Sequence, residues 1–232
     1  VNYLLENAST PEGKIAGHQH LMKIKRKTST KKDYPEIEKE YQRLFSEFGE
    51  GKKTYQLQLD FNYFEAFKNQ KKEIAIANLK KFSKEPLSRY QKARVKMLLA
   101  DILVFDERFN EALIYYSQIQ NEVKGDLIAQ EARFKVAQTS YFKGDFAWAL
   151  KQFKELKSAS TQLIANDALE YFLLINDNTV ADSTQTALKQ FAKGDYLLYQ
   201  KRNQEAIAQF QSILKSFKGQ EIEAVTLLRL GK

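Results

Sequence analysis

The stretch GDFAWALKQF, residues 144–153, contains a spacing that recurs along the chain. Its skeleton is an aromatic residue, an alanine three positions later and a second aromatic residue four positions after that. Alanines in register lie 37 residues before Ala149, again 37 before that, and 57 after it. Bulky residues follow each alanine at the same offsets. The matching positions are Ala75, Leu79 and Phe82; Ala112, Tyr116 and Ile119; Ala149, Phe153 and Leu156; and Ala206 and Phe210.

Positions i, i+4 and i+7 lie on one face of an α-helix, so each copy predicts a helix with an apolar stripe. A first helix precedes each of the three regular copies and is expected to end near Phe67, Phe105 and Phe142. Small residues twelve positions before an alanine, such as Ala100 and Ala137, would let the paired helices approach closely. One pair has too little apolar surface to fold alone. The repeat therefore predicts an all-α fold, an α-solenoid of antiparallel helix pairs, and the family resemblance described below implies that it is right-handed.

The last copy comes 20 residues late, which leaves room for about one additional helix and a turn. We expect one helix over Ala165–Ile175, stopped at 176–178, and a second over Ser183–Gln200. Gly194 lies twelve residues before Ala206, and one period later the chain reaches Gly231. The register therefore predicts that the chain is a fragment of a longer repeat protein, cut within the first helix of a further repeat.

The N-terminal part follows the pattern less closely. Ile37, Tyr41, Leu44 and Phe48 keep helical spacing, which leaves open whether residues 1–53 include a divergent earlier repeat. We expect residues 1–33 to be a basic segment that is irregular, a divergent repeat or a poorly packed helix. The repeat domain is expected to cover residues 34–232.

Composition excludes several classes of protein. Only 3 prolines and 9 glycines among 232 residues leave little material for the turns of an all-β fold, and the absence of cysteine excludes disulfides and thiolate metal sites. No stretch approaches the roughly 18 apolar residues that a membrane span needs.

The net charge of +8 is concentrated in one segment. Seven of the 37 Lys and Arg residues lie within residues 14–32, where there is no acid, and the other 30 nearly balance the 29 acidic residues. A basic segment of this kind can bind nucleic acid or an anionic membrane, although it has no interleaved aromatic residue for stacking on bases. The candidate basic patch consists of Lys23, Lys25, Arg26, Lys27, Lys31 and Lys32.

Motifs of catalysis are missing from the sequence. It contains no glycine-rich phosphate loop, no Gly-x-Ser-x-Gly and no His-Glu-x-x-His. The two histidines, His18 and His20, lie in the segment expected to be least rigid and are interpreted as solvated residues. We therefore predict neither an enzyme nor a cofactor or metal site.

These repeats resemble the tetratricopeptide repeat, a helix-turn-helix unit of about 34 residues. The match is best over Ala137, Gly144, Ala149 and Phe153, and the resemblance covers about residues 54–232. The period of 37 and the absence of a closing proline depart from the family pattern. The segment 194–232 also looks like the repeats of bacterial cell-envelope proteins that assist outer-membrane assembly or septation. That resemblance favours a periplasmic or envelope-associated location over a cytoplasmic one.

In this family the first helices line a concave groove that binds a peptide or a partner protein. The resemblance therefore implies a set of groove residues on two successive first helices. They are Arg94, Met97, Asp101 and Val104 in one repeat, and Glu131, Phe134, Gln138 and Tyr141 in the next. The lysine and asparagine clamp of chaperone-binding members is missing, because its places hold other residues. Aromatic residues at helical spacing are more often part of a core, and we expect this for Trp148.

The leading hypothesis is a non-catalytic scaffold that binds a protein or peptide in this groove. Binding of nucleic acid or an anionic membrane through residues 14–32 is the alternative, and a structural spacer without a ligand is a third. Exposed leucines in the last partial repeat also predict dimerisation through the C-terminal end. They are Leu227, Leu228 and Leu230.

Overall fold

The computed structural model describes residues 7–159, 161–180 and 184–231, which form twelve α-helices and no β-strand. The all-α prediction is confirmed. The chain divides into two compact units, Val1–Asp106 and Glu107–Lys232. The first unit contains α1 (Pro11–Thr28), α2 (Tyr34–Phe48), α3 (Tyr55–Phe67), α4 (Lys72–Phe82) and α5 (Arg89–Phe105). The second contains α6 (Phe109–Glu122), α7 (Leu127–Lys143), α8 (Phe146–Ala159), α9 (Gln162–Val180), α10 (Thr186–Tyr199), α11 (Asn203–Ser216) and α12 (Glu221–Gly231).

Local signals in the sequence place the ends of these helices. Before α5, the Ser88 hydroxyl accepts a hydrogen bond from the Gln91 amide at 3.2 Å, and the Gln91 side chain accepts one from the Ser88 amide at 3.0 Å. Asp126 caps α7 by accepting from the Ile128 amide at 3.0 Å. Gly144 ends α7 in the left-handed conformation, with φ of 85°, where glycine is favoured. This helix therefore ends close to Phe142, as the repeat predicts.

The apolar stripes of the repeat form the core of each unit. Every stripe residue on α4, α6, α8 and α11 is at most 4% exposed. In the first unit α4 packs against α3 and α5, and α3 also contacts α5. In the second unit α7 packs against α6 and α8, α11 packs against α10 and α12, and α10 contacts both α7 and α12. Most of these helices pack against the helices that precede and follow them in the chain, which gives a repeat-like helical architecture.

Each of the four repeat alanines has a counterpart twelve residues earlier in the chain. At three of these four positions the counterpart is a small, buried residue. Ala100 and Ala137 are fully buried, and Gly194 is also buried. A β-carbon at Gly194 would lie 2.5 Å from Cε1 of Phe210 on the neighbouring helix α11. The fourth site holds Tyr63, which is 40% exposed, so close approach through a small residue is not used there.

The N-terminal segment is more regular than the charge pattern suggests. Residues 11–28 form α1, whose Ile15 and Met22 are buried in a cluster with α2 and α3. On α2, Ile37, Tyr41 and Leu44 are buried, as their spacing predicts.

Two expectations were wrong. Residues 176–178 do not stop a helix, because α9 continues through them to Val180. Asn178 is buried there and donates a hydrogen bond to the carbonyl of Leu174 at 2.8 Å, which satisfies its amide within the helix. Trp148 is not part of the core. It is 47% exposed, because it lies off the face of α8 that carries Phe146, Ala149 and Phe153.

We predict that Gly194→Ala lowers the free energy of unfolding by about 1–3 kcal/mol, because the added methyl group would overlap the Phe210 ring. Gly231→Ala is the matched control, since its β-carbon would meet nothing within 4 Å at the end of α12. Urea denaturation followed by circular dichroism measures both variants. An unchanged stability of Gly194→Ala would contradict the close packing of α10 on α11.

Candidate functional site

The groove residues predicted on α7 contact another helix of the same chain. Gln138 Nε2 donates a hydrogen bond to the Tyr171 hydroxyl of α9 at 3.0 Å. The rings of Phe134 and Tyr141 lie 6.0 and 5.1 Å from the ring of Tyr171. Glu131 is exposed. The face of α7 that was expected to receive a partner is therefore packed against α9.

Tyr141 belongs to a buried polar network. Its hydroxyl donates to Asp195 Oδ2 at 2.9 Å, and Arg229 Nε lies 3.0 Å from Asp195 Oδ1. Arg229 also reaches Glu170 at 3.4 Å. Burial, together with the nearby Asp195 carboxylate, raises the pKa of Tyr141 well above its ordinary value. The network connects α7, α9, α10 and α12, which makes Tyr141 a structural residue of the second unit.

Two of the four groove residues predicted on α5 are buried. Met97 and Val104 are 6% and 2% exposed, so their side chains belong to the core of the first unit. Arg94 is exposed and Asp101 is half-buried. This face of α5 presents charged groups rather than an apolar groove.

The predicted basic patch is divided between exposed and paired residues. Arg26 forms an ion pair with Asp60 at 2.9 Å and lies 5.9 Å from the centre of the Tyr63 ring, so it fastens α1 to α3. Lys25 is half-buried. The remaining members of the patch are exposed: Lys23, Lys27, Lys31 and Lys32.

The histidines lie on α1, and His18 is half-buried with its ring 5.9 Å from that of Phe48. Burial lowers the pKa of His18. Across the ranges that the structure describes, no three His, Asp or Glu residues are grouped closely enough to hold a metal ion.

The first unit contains a recess of about 590 Å³ between α2, α3 and α4, which we call the acidic cleft. Four glutamates and one lysine line it, together with three aromatic rings and a set of polar side chains. The lining residues are Glu38, Gln42, Phe45, Glu50, Gly51, Gln58, Phe61, Asn62, Glu65, Ile74, Asn78, Lys81, Phe82 and Glu85.

The floor of the acidic cleft is a row of buried polar residues on one face of α3. Gln58, Asn62 and Glu65 are 7%, 3% and 0% exposed. Gln58 Nε2 donates to the carbonyl of Gly51 at 2.9 Å, and Asn62 Nδ2 donates to the carbonyl of Gln58 at 2.8 Å. Asn62 Oδ1 and Glu65 Oε2 accept no hydrogen bond from any described residue. Buried polar atoms of folded proteins usually have a partner, so two unsatisfied acceptors on one cleft floor are unusual.

The neighbours of Glu65 satisfy only one of its oxygens. Asn69 Nδ2 donates to Glu65 Oε1 at 3.0 Å. Lys71 Nζ lies 3.8 Å from Oε2, but its hydrogen bonds go to both oxygens of Glu38, at 2.6 and 2.7 Å. Burial raises the pKa of Glu65, and the nearby Glu38 adds to this effect, while Asn69 and Lys71 oppose it.

None of the binding residues predicted from the sequence lines this cleft, although the sequence contains a signal for it. Gln58, Asn62 and Glu65 share the spacing of an apolar stripe but are polar, on a helix whose other positions are largely hydrophobic. Polar residues at core spacing on such a helix mark a buried polar site.

Comparison with known proteins gives no assignment, because no family model, curated protein or solved structure matches the chain. None of the helices in the described ranges is both long enough and apolar enough to cross a membrane.

Glu65 makes stability depend on pH in a specific direction. Because its pKa is raised in the folded state, the folded chain binds more protons than the unfolded chain between the ordinary pKa of 4.5 and the raised value. Stability from this group is therefore lost as pH rises through that window. We predict that Glu65→Gln matches the wild type near pH 4 and becomes relatively more stable towards pH 7, as measured by urea denaturation. A variant that becomes relatively less stable as pH rises would show that Lys71 dominates over burial.

Proposed function

We propose that the chain is a non-catalytic scaffold, a right-handed α-solenoid of antiparallel helix pairs that binds a peptide or partner protein. The observation that carries this proposal is the acidic cleft, an open recess with buried, unsatisfied polar groups on its floor. The repeat-like packing within each unit supports it, because stacked helix pairs create such recesses between neighbouring elements.

The binding surface that we propose differs from the groove implied by the resemblance to tetratricopeptide repeats. In the second unit the groove-facing side of α7 already contacts α9 through Phe134 and Gln138. That contact combines aromatic packing with a hydrogen bond, which is how helical surfaces recognise other helices. The acidic cleft is an open recess within its own unit, so we assign the peptide site to it.

The dimensions and lining of the cleft suit a few side chains of a peptide. About 590 Å³ is within the usual range for ligand pockets. Ile74 is 50% exposed at the cleft and offers an apolar contact near its mouth. Phe45, Phe61 and Phe82 are buried deeper and line its walls. The cleft thus combines apolar walls with a polar floor, a combination that gives both affinity and specificity.

The weaker resemblance to bacterial cell-envelope proteins leads us to propose a periplasmic or envelope-associated location. Fractionation of the source cells with a tagged copy tests this proposal. A copy found wholly in the cytoplasmic fraction would contradict it.

A display library of random peptides tests binding at the acidic cleft. We predict that peptides selected on the wild-type chain lose about tenfold or more in affinity for Ile74→Trp, because the larger side chain would obstruct the cleft. Ile114→Trp is the matched control, since Ile114 is a 58% exposed isoleucine on α6 in the other unit. Fluorescence polarisation measures both affinities. Failure to select any peptide, or equal binding to Ile74→Trp and the wild type, would contradict peptide binding in the cleft.

Binding of an anionic polymer is a second candidate, because α1 keeps Lys23 and Lys27 exposed one turn apart, with Lys31 and Lys32 exposed just beyond it. Arg26 is excluded from this surface by its ion pair with Asp60.

If this surface binds nucleic acid or anionic vesicles, affinity should fall steeply with salt, and Lys23→Gln with Lys27→Gln should reduce that salt dependence. The double substitution Lys151→Gln with Lys154→Gln, which replaces exposed lysines on α8, is the control. Gel-shift and vesicle sedimentation assays at two salt concentrations measure the effect. Absence of binding even at low salt would rule out this candidate.

A further inference from the structure

We propose that the floor of the acidic cleft binds an organic cation bearing N–H groups, supplied by a lysine or arginine side chain of a bound peptide. This inference rests on the proposed function, because it names the chemistry of the peptide that the cleft receives. Three observations lead to it: the unsatisfied acceptors, the sign of the surrounding charge and the nature of the walls.

The unsatisfied groups on the floor are both acceptors. Asn62 Oδ1 and Glu65 Oε2 accept no hydrogen bond within the described chain, although both side chains are almost completely buried. The two residues are three positions apart on α3, so they are neighbours on one helix face. An ammonium group with three donors, or a guanidinium group with five, has enough donors for both oxygens. An anion or an acceptor-only ligand has none.

The orientation of the Asn62 amide is set by its other contact. Its Nδ2 donates to the carbonyl of Gln58 at 2.8 Å, which leaves Oδ1 as the atom without a partner. The Gln58 amide is also engaged, because its Nε2 lies 2.9 Å from the Gly51 carbonyl and 3.2 Å from Thr54 Oγ1. A donor from outside the chain can therefore satisfy the Asn62 oxygen.

The charges around the cleft favour a cation. Its lining contains Glu38, Glu50, Glu65 and Glu85 against the single cation Lys81. Lys71, which does not line the cleft, compensates Glu38 through hydrogen bonds of 2.6 and 2.7 Å. Lys71 Nζ also lies 3.8 Å from Glu65 Oε2, an ion pair without a hydrogen bond, so this oxygen keeps its capacity to accept one. The remaining carboxylates create a negative potential in a recess with partly apolar walls, which strengthens the attraction of a cation.

The walls favour an organic cation over a metal ion. Within the described ranges no group of three or more acidic or histidine ligands is close enough to hold a metal. Instead, the rings of Phe45, Phe61 and Phe82 line the recess. Aromatic rings pack against the methylene stem of a lysine or arginine and attract its charged end. A cleft with aromatic walls and a carboxylate on its floor is therefore complementary to a long side chain that ends in a cation.

Nuclear magnetic resonance titration of the 15N-labelled chain tests the proposal directly. The probes are blocked peptides of sequence Gly-Gly-X-Gly-Gly, where X is lysine, arginine, norleucine or glutamate, and spermidine. Norleucine keeps the apolar stem of lysine without its charge. We expect the lysine and arginine peptides to shift the Asn62 side-chain amide and the α3 signals, with affinity at least about tenfold above norleucine.

Two substitutions in the acidic cleft test whether the peptide cation binds there. Glu65→Gln keeps the shape and the acceptor for Asn69 but removes the charge, so it should weaken binding of the lysine peptide about tenfold or more. Glu50→Lys changes an exposed residue that lines the cleft, so it should weaken binding severalfold without disturbing the core. Glu12→Lys, on an exposed site of α1, is the matched control and should bind as the wild type does. The dispersion of the amide signals verifies that each variant is folded.

Equal affinity for the lysine and norleucine peptides, or unchanged binding by both cleft variants, would overturn the proposal. Spermidine binding much more tightly than either basic peptide would overturn the assignment to a peptide side chain and point to a free polyamine. These results can be separated from the test of the proposed function. Library peptides that depend on Ile74 but not on a lysine or arginine would support a peptide scaffold and reject the cation site.

Discussion

The structure depends on the burial of one apolar stripe per helix pair, and on the small residues that allow the paired helices to approach. Ala75, Ala112, Ala149 and Ala206 are fully buried, and each is followed by a large side chain that fills the contact. Burying each such large side chain stabilises the fold by about 1.5–3 kcal/mol. Gly194 shows how tight this contact becomes, because its partner Phe210 occupies the space that a β-carbon would need.

The buried acidic residues of the two units have different surroundings. In the second unit, Asp195 accepts a hydrogen bond from Tyr141 and forms an ion pair with Arg229, so a buried acid has both a hydrogen-bond donor and a cation. In the first unit, Glu65 is equally buried but its second oxygen has only a distant ammonium group. Asp195 has a cation at 3.0 Å that compensates its charge, whereas the nearest cation to Glu65 lies 3.8 Å away and donates its hydrogen bonds to Glu38, which leaves free energy that a ligand can recover. This difference is why the cleft, and not the Tyr141 network, is proposed as the binding site.

The additional helix α9 changes the interpretation of the repeat surface. Its Tyr171 stacks on Phe153 at 4.9 Å and accepts a hydrogen bond from Gln138, so it joins α7 and α8. The side of α7 expected to bind a partner thus contributes to the stability of its own unit. Substitutions at Phe134 or Tyr141 would report on folding as well as on binding, which makes the exposed Ile74 a better position to test recognition.

The sequence by itself determined the all-helical class, the period of 37 and the buried stripes, because helical periodicity is a local property that neighbouring residues set together. It also placed the ends of the first helices near Phe67 and Phe105, where α3 and α5 end. Only the tertiary structure decided which polar residues are buried and unsatisfied, and that α9 packs against α7. Burial and hydrogen bonding depend on residues distant in the chain, such as Glu38 beside Lys71 and Gln138 beside Tyr171, and no local pattern specifies those distances.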